Sequence, residues 1–246
     1  MKRFAITGIL IFLYITAFAQ GYDRLFYEAY RDSRMDRWLS LMEDMEKEWK
    51  ETGNRALLND LAVAQYGYIA YLMSEKDHKT ARIYIRKNEE ALETLKQGRM
   101  PGALVYSLES ALFGFKVGVE KYKAVIYGPR SMEAIEKALG LDSINPFALQ
   151  VRANMEYFRP PLFGGSKEGS IPWYEKAVRY YEAAPALTTG NWVYLNCLTS
   201  LAIAYEQTGR RSQAGELYRK ILRLEPGFTW VRDELYPRFK AAGKEG

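Results

Sequence analysis

The chain has 246 residues, 48% hydrophobic and 26% charged, which is enough for one sizeable core and too short to make two independent domains the expectation. A formal charge of +5 with no long basic tract disfavours nucleic acid as a partner. With one histidine and one cysteine, an intramolecular disulfide is excluded, and a histidine triad, a multi-histidine metal site or a Cys/His site is excluded or crippled.

At the start, Lys2 and Arg3 precede an apolar run from Phe4 to Ala19 that ends in Ala17-Phe18-Ala19. Basic start, apolar middle and small-x-small exit are the three marks of a secretory signal peptide. Residues 1–19 are therefore expected to be removed, and the loss of Lys2 and Arg3 brings the charge to +3. Gln20-Gly21-Tyr22-Asp23 supplies no basic flank after the run, and no cysteine stands at the exit to carry a lipid. The expectation is an exported protein, periplasmic or secreted, with no stable membrane anchor after cleavage.

Beyond residue 22 no sustained period-two alternation occurs, while apolar and alanine positions recur at three and four residues, so the mature chain reads as all-α. Breaks fall at Thr52-Gly53-Asn54, 98–102, Tyr127-Gly128-Pro129, Asn145-Pro146, 159–169, 184–190, Thr208-Gly209 and Pro226-Gly227. They divide residues 20–246 into one repeat domain with hairpins at about 22–51, 55–97, 103–141, 145–184 and 191–225. A capping helix is expected at about 228–242.

The last hairpin carries the clearest pattern. Leu198, Leu201, Ala202 and Tyr205 occupy a first helix, Gly209 the turn, Ala214, Tyr218 and Ile221 a second helix, and Pro226 the stop. Small residues at 202 and 214 let the helices approach, and larger ones fill the space around that contact. In order and spacing this segment resembles the tetratricopeptide repeat, departing mainly at Ile221, where that family prefers alanine. The resemblance implies a right-handed superhelical stack of hairpins. The other units follow by period: Ala81 with Tyr68, Leu72 and Ile85; Ala134 and Ala138 with Phe115, Val119 and Tyr122 inward; Leu149 and Ala153 with Tyr174 and Ala177.

The fourth hairpin is irregular, with five residues more between its helices than the last one has, filled by Arg159-Pro160-Pro161-Leu162-Phe163-Gly164-Gly165-Ser166-Lys167-Glu168-Gly169. This insert has two readings: a turn whose Leu162 and Phe163 tuck back onto the hairpin as a plug, or a lip over a ligand groove. The Pro-Pro-x-Phe-Gly-Gly stretch is also similar to exported bacterial repeat proteins, including the T component associated with TRAP-type transporters, a resemblance that implies ligand binding in the periplasm. Gly164-Gly165-Ser166-Lys167 lacks the order and the preceding strand of a phosphate-binding loop.

Catalysis finds little support. His78 sits in a polar turn, Cys197 at an interior repeat position, and the carboxylate pairs Glu89-Glu90 and Asp233-Glu234 are helix neighbours rather than groups facing across a cleft. No cofactor, metal or catalytic residue is expected. The concave face that the resemblance implies would be lined by Tyr66 and Met73, Phe113 and Lys116, Asn154 and Tyr157, and Asn196 and Thr199, with Arg159 and Phe163 added by the lip reading. Aromatic and amide side chains in such a groove suit a protein or peptide partner. The alternative is a periplasmic protein for a small hydrophobic ligand.

Overall fold

The computed structural model describes residues 21–97 and 101–243. The signal peptide read at residues 1–19 lies outside them. Residues 21–31 form helix α1. It is followed by α2 (Met35–Thr52), α3 (Arg55–Ser74), α4 (His78–Lys96), α5 (Ala103–Val119), α6 (Ala124–Leu141), α7 (Pro146–Phe158), α8 (Lys167–Glu182), α9 (Trp192–Gln207), α10 (Arg211–Leu224) and α11 (Tyr236–Ala242). Among the described residues there is no strand, and α3 with α4, α5 with α6, α7 with α8 and α9 with α10 pack as consecutive hairpins. The expected all-α stack of helical hairpins is what forms.

Local chemistry sets the starts. Asn54, Asp77, Asn145, Ser166 and Asn191 each stand before a helix, and their side-chain oxygens accept from backbone N–H groups two or three residues on. Each such cap contributes about 1 kcal/mol. The second helices α4 and α10 carry one apolar stripe, Ala81-Ile85-Leu92-Leu95 and Ala214-Tyr218-Ile221, whereas α9 is buried on several sides along most of its length. Ala202 and Ala214, the small residues of the clearest repeat, are both fully buried.

Three local expectations need correction, and the closing helix has an opening of its own. Gly128-Pro129 does not break a helix: α6 begins at Ala124 and runs through Pro129. The donor this proline lacks would have served the carbonyl of Val125, a residue on the exposed first turn, so the loss is mild. Tyr122 lies in a 3-10 turn, Lys121–Lys123, and is 77% exposed rather than inward. Helix α8 starts at Lys167, three residues before Ser170, because Ser166 caps it. Finally, the closing helix opens with a wide π turn, Trp230–Leu235, which seats Val231 and Leu235 in the core.

The stack closes on itself. Tyr30 of α1 packs on Trp38 of α2 at 6.4 Å between centroids, on Trp192 of α9 at 5.7 Å and on Phe228 at 5.2 Å. Trp38 and Trp192 meet edge to face at 4.8 Å. Polar bonds stitch the same seam: Tyr27 donates to Glu225 at 2.7 Å, and the Thr229 hydroxyl donates to the Arg31 carbonyl at 3.0 Å. Gly67 on α3 lies under both tryptophans, and a Cβ there would stand 2.7 Å from Trp192 and 2.9 Å from Trp38. First helices that would line an open groove thus converge on one another, with Tyr66 of α3 against Phe115 of α5 and Phe147 of α7.

Candidate functional site

This closure fills the concave side. Tyr66 is 5% exposed and Thr199 fully buried, its hydroxyl donating to the Leu195 carbonyl, so neither lines a groove as the sequence suggested. Asn154 is occupied twice, donating to the Tyr66 hydroxyl at 3.0 Å and accepting from the Tyr174 hydroxyl at 2.5 Å. Asn196 accepts from Gln150 at 2.9 Å and donates to the Tyr30 hydroxyl at 3.1 Å, while Tyr181 donates to the other end of the same Gln150. Met73 packs onto Gly118 of α5. Amides read as recognition groups are therefore the polar ties of the interior. Burial pushes the phenols of Tyr30, Tyr66, Tyr174 and Tyr181 far above their ordinary value, which keeps each hydroxyl a neutral donor.

The remaining predicted residues lie at the hairpin tips. The tips line up along one edge: Arg82 at the start of α4 donates to the Val119 carbonyl at the end of α5, and Lys167 at the start of α8 donates to Gln207 at the end of α9. Two features stand out there.

One is a recess of about 240 Å³ between α4, α5 and α6, lined by Arg82, Ile85, Arg86, Glu89, Lys116, Val119, Glu120 and Tyr127. Phe113 and Tyr127 stack at 6.0 Å, and Lys116 stands 5.7 Å over the first ring and 5.6 Å over the second while pairing with Glu89. Its side chain is 14% exposed, so rings and carboxylate together fix the ammonium. Arg130 also stands over Phe113 at 5.9 Å, and Lys123, paired to Glu120 at 3.0 Å, reaches over Tyr122 and Tyr127. That pairing draws the Glu120 carboxyl below its usual value. Sequence reasoning found Phe113 and Lys116 but missed Arg82, Arg86 and Tyr127. The legible signal was an arginine pair one turn apart on α4.

The other feature is the insert, and it is neither a plug nor loose. Arg159 Nη2 donates to both oxygens of Glu156 at 2.7 Å, Arg152 holds the same carboxylate, and the Ser166 N–H donates to the Glu156 carbonyl at 3.0 Å. Gly164 turns the chain with φ +81°, and at Gly165 a side chain would overlap the Arg159 carbonyl. The braced loop turns Leu162 and Phe163 outward, at 89% and 52% exposure, and Phe158 is exposed beside it. This overturns the expectation that an aromatic after Pro-Pro folds back. It also makes Arg159 a brace of the loop rather than a free contact. Tyr157, half-buried, packs edge-on against Phe158 at 4.9 Å with Lys167 over its ring at 5.6 Å.

Cys197 is fully buried, and burial pushes its thiol well above the usual range, the opposite of an activated nucleophile. Several tyrosines instead reach carboxylates from the core edge, as Tyr194 to Glu182, Tyr205 to Glu175 and Tyr218 to Glu206.

Comparisons agree with this architecture. Residues 195–228 match the tetratricopeptide repeat family, the segment in which the repeat pattern is clearest. No curated protein matches the chain. Among solved structures it is similar to the HusA haemophore from Porphyromonas gingivalis, at 20% identity and a TM-score of 0.52 over 77% of this chain and 94% of that one. It also aligns with BtubC from P. vanneervenii, at 14% identity and a TM-score of 0.42 over 81% of this chain and 74% of that one.

Proposed function

We propose that this is an exported, non-enzymatic helical-repeat protein that holds a protein or peptide partner along the edge formed by its hairpin tips, not in a concave groove. The observation that carries this reading is the braced insert with Leu162 and Phe163 turned outward. Six of the exposed large hydrophobics, Tyr122, Val125, Ile126, Phe158, Leu162 and Phe163, belong to two successive tips. Helices α6 and α7 run antiparallel there, with Ser131 bonded to Met155, which puts Phe158 at the level of Tyr127. Exposed apolar side chains grouped in this way mark interaction surfaces. The repeat match at 195–228 fits a scaffold of this kind.

A photo-crosslinking residue at position 126 or 162, compared with one at Leu224 on the opposite edge, tests the reading in the native envelope. The same adduct should form from both tip positions, be absent at 224, and disappear with Phe163→Ser while melting stays unchanged. Equal labelling from the opposite edge would refute it.

A second reading, a carrier of a small hydrophobic ligand serving a transporter, draws on the haemophore among the similar structures. Native mass spectrometry separates the two: a retained small molecule favours the carrier, and a bare chain favours the scaffold.

A further inference from the structure

We propose that the recess between α4, α5 and α6 receives the carboxylates of an acidic partner segment whose aromatic or aliphatic side chains lie on the neighbouring tips; this rests on the tip-edge docking read above. The argument is one of charge. Two acids line the recess, and both are already committed, Glu89 to Lys116 and Glu120 to Lys123. The arginines form no ion pair in return, although Arg82 lies near enough to Glu120 for its charge to act on that carboxylate alongside Lys123. Arg82 donates only to backbone carbonyls, of His78 and Val119, and Arg86 forms no ion pair among the described residues. Arg82 and Arg86 stand one helical turn apart on the same face, and both are exposed at the recess wall. Arg130 adds a third guanidinium 5.9 Å from the Phe113 ring, in no ion pair among the described residues, with Glu133 the acid its charge acts on.

Shape points the same way. A space of about 240 Å³ that is open to solvent is smaller than the roughly 300–1,000 Å³ of enclosed small-molecule sites, and it fits one or two side chains of an extended segment. Tyr127 is its one aromatic wall, and two of its cations are held before anything binds, Lys116 by Glu89 and two rings and Arg82 by two backbone carbonyls, which limits the ordering that opposes association. Guanidinium groups pair with carboxylates in a bidentate fork, and the exposed Val125 and Ile126 of the adjoining tip offer contact to an apolar neighbour on the same segment. This site lies where α4 meets the hairpin of α5 and α6, and it shares no residue with the polar ties of the filled interior.

The test uses the mature protein and a fluorescein-labelled peptide of alternating Glu and Phe, followed by anisotropy. Controls are the Gln and Phe version, and vesicles of phosphatidylserine. The acidic peptide is expected to bind and the Gln peptide not to. Arg86→Glu with Arg130→Glu should weaken binding by about tenfold or more, whereas Arg179→Glu, on the exposed face of α8, should change it less than about twofold. Equal binding of the Gln peptide, equal loss with Arg179→Glu, or preference for the vesicles would each overturn the assignment. If tip crosslinking is seen and the acidic peptide does not bind the parent protein, the docking edge stands and the acidic recess falls. If the peptide binds at the recess but tip crosslinks are absent, the recess stands and the wider docking edge falls.

Discussion

Asn154 offers a sharp test of the closed interior. Replacing it with alanine removes two hydrogen bonds, from Tyr174 at 2.5 Å and to Tyr66 at 3.0 Å. Each is worth about 1 kcal/mol net, and each buried hydroxyl left without a partner raises its own cost to about 1–3 kcal/mol. The two phenols belong to residues that are 1% and 5% exposed, so water does not readily replace the amide. Ser200 stands near the Tyr174 hydroxyl as a second partner, which limits one of the losses. The expected destabilisation is about 2–4 kcal/mol, against about 0.5 kcal/mol or less for an asparagine on a wet groove. Urea denaturation should show a lower midpoint with an unchanged slope. In a Tyr66→Phe background, which removes one of the stranded hydroxyls, Asn154→Ala should cost less, by roughly 0.5–2 kcal/mol. A loss under about 0.5 kcal/mol in the parent protein would refute the reasoning and reopen the groove.

Gly67→Ala should destabilise by about 1–3 kcal/mol, read as a lower melting temperature, because its methyl enters the contact of Trp38 with Trp192; an unchanged melt would show that the seam is loose. Asp60, half-buried on α3, has its carboxyl raised to about 6 by burial first and the charge of Asp23 second. A raised carboxyl favours the native state below its ordinary value, and that advantage is lost as pH rises through 6. Asp60→Asn should therefore stabilise the protein by about 1–3 kcal/mol near pH 7.5 and by almost nothing near pH 4 in paired urea titrations, and equal shifts at both would contradict it. Cys197 should resist maleimide in the native protein and react once urea unfolds it; rapid native labelling would place the thiol at the surface.

What the sequence revealed followed from short-range spacing. Leu198, Ala202, Tyr205, Ala214 and Tyr218 announce their hairpin because small and large residues must alternate wherever two helices touch, and that rule is local. Tyr66, Asn154 and Thr199 were misjudged for the converse reason. Whether the second face of a first helix meets water or another helix depends on Tyr30, Trp192 and Phe228, which are far apart in the chain, and no spacing within α3 or α9 encodes their meeting. Tyr127 escaped notice because Gly128-Pro129 reads as a break, which put that ring in a turn instead of on a helix stacked against Phe113. In the insert, Pro160-Pro161 and Gly164-Gly165 announced rigidity. The outward direction came from Glu156, whose carboxylate and carbonyl anchor both ends of the loop.

The seam joining α1 to α9 and Phe228 bears on how such a protein can change over generations. Open arrays of this type tolerate duplication or loss of a unit, since each unit touches only its neighbours. Here one additional hairpin would carry Trp192 and Phe228 away from Tyr30, and one fewer would drive them into it. The tryptophan contact over Gly67 thus acts as a length gauge. It fixes the copy number of the hairpins and leaves variation to the tips, where a longer insert or a new side chain alters the surface without reaching the seam.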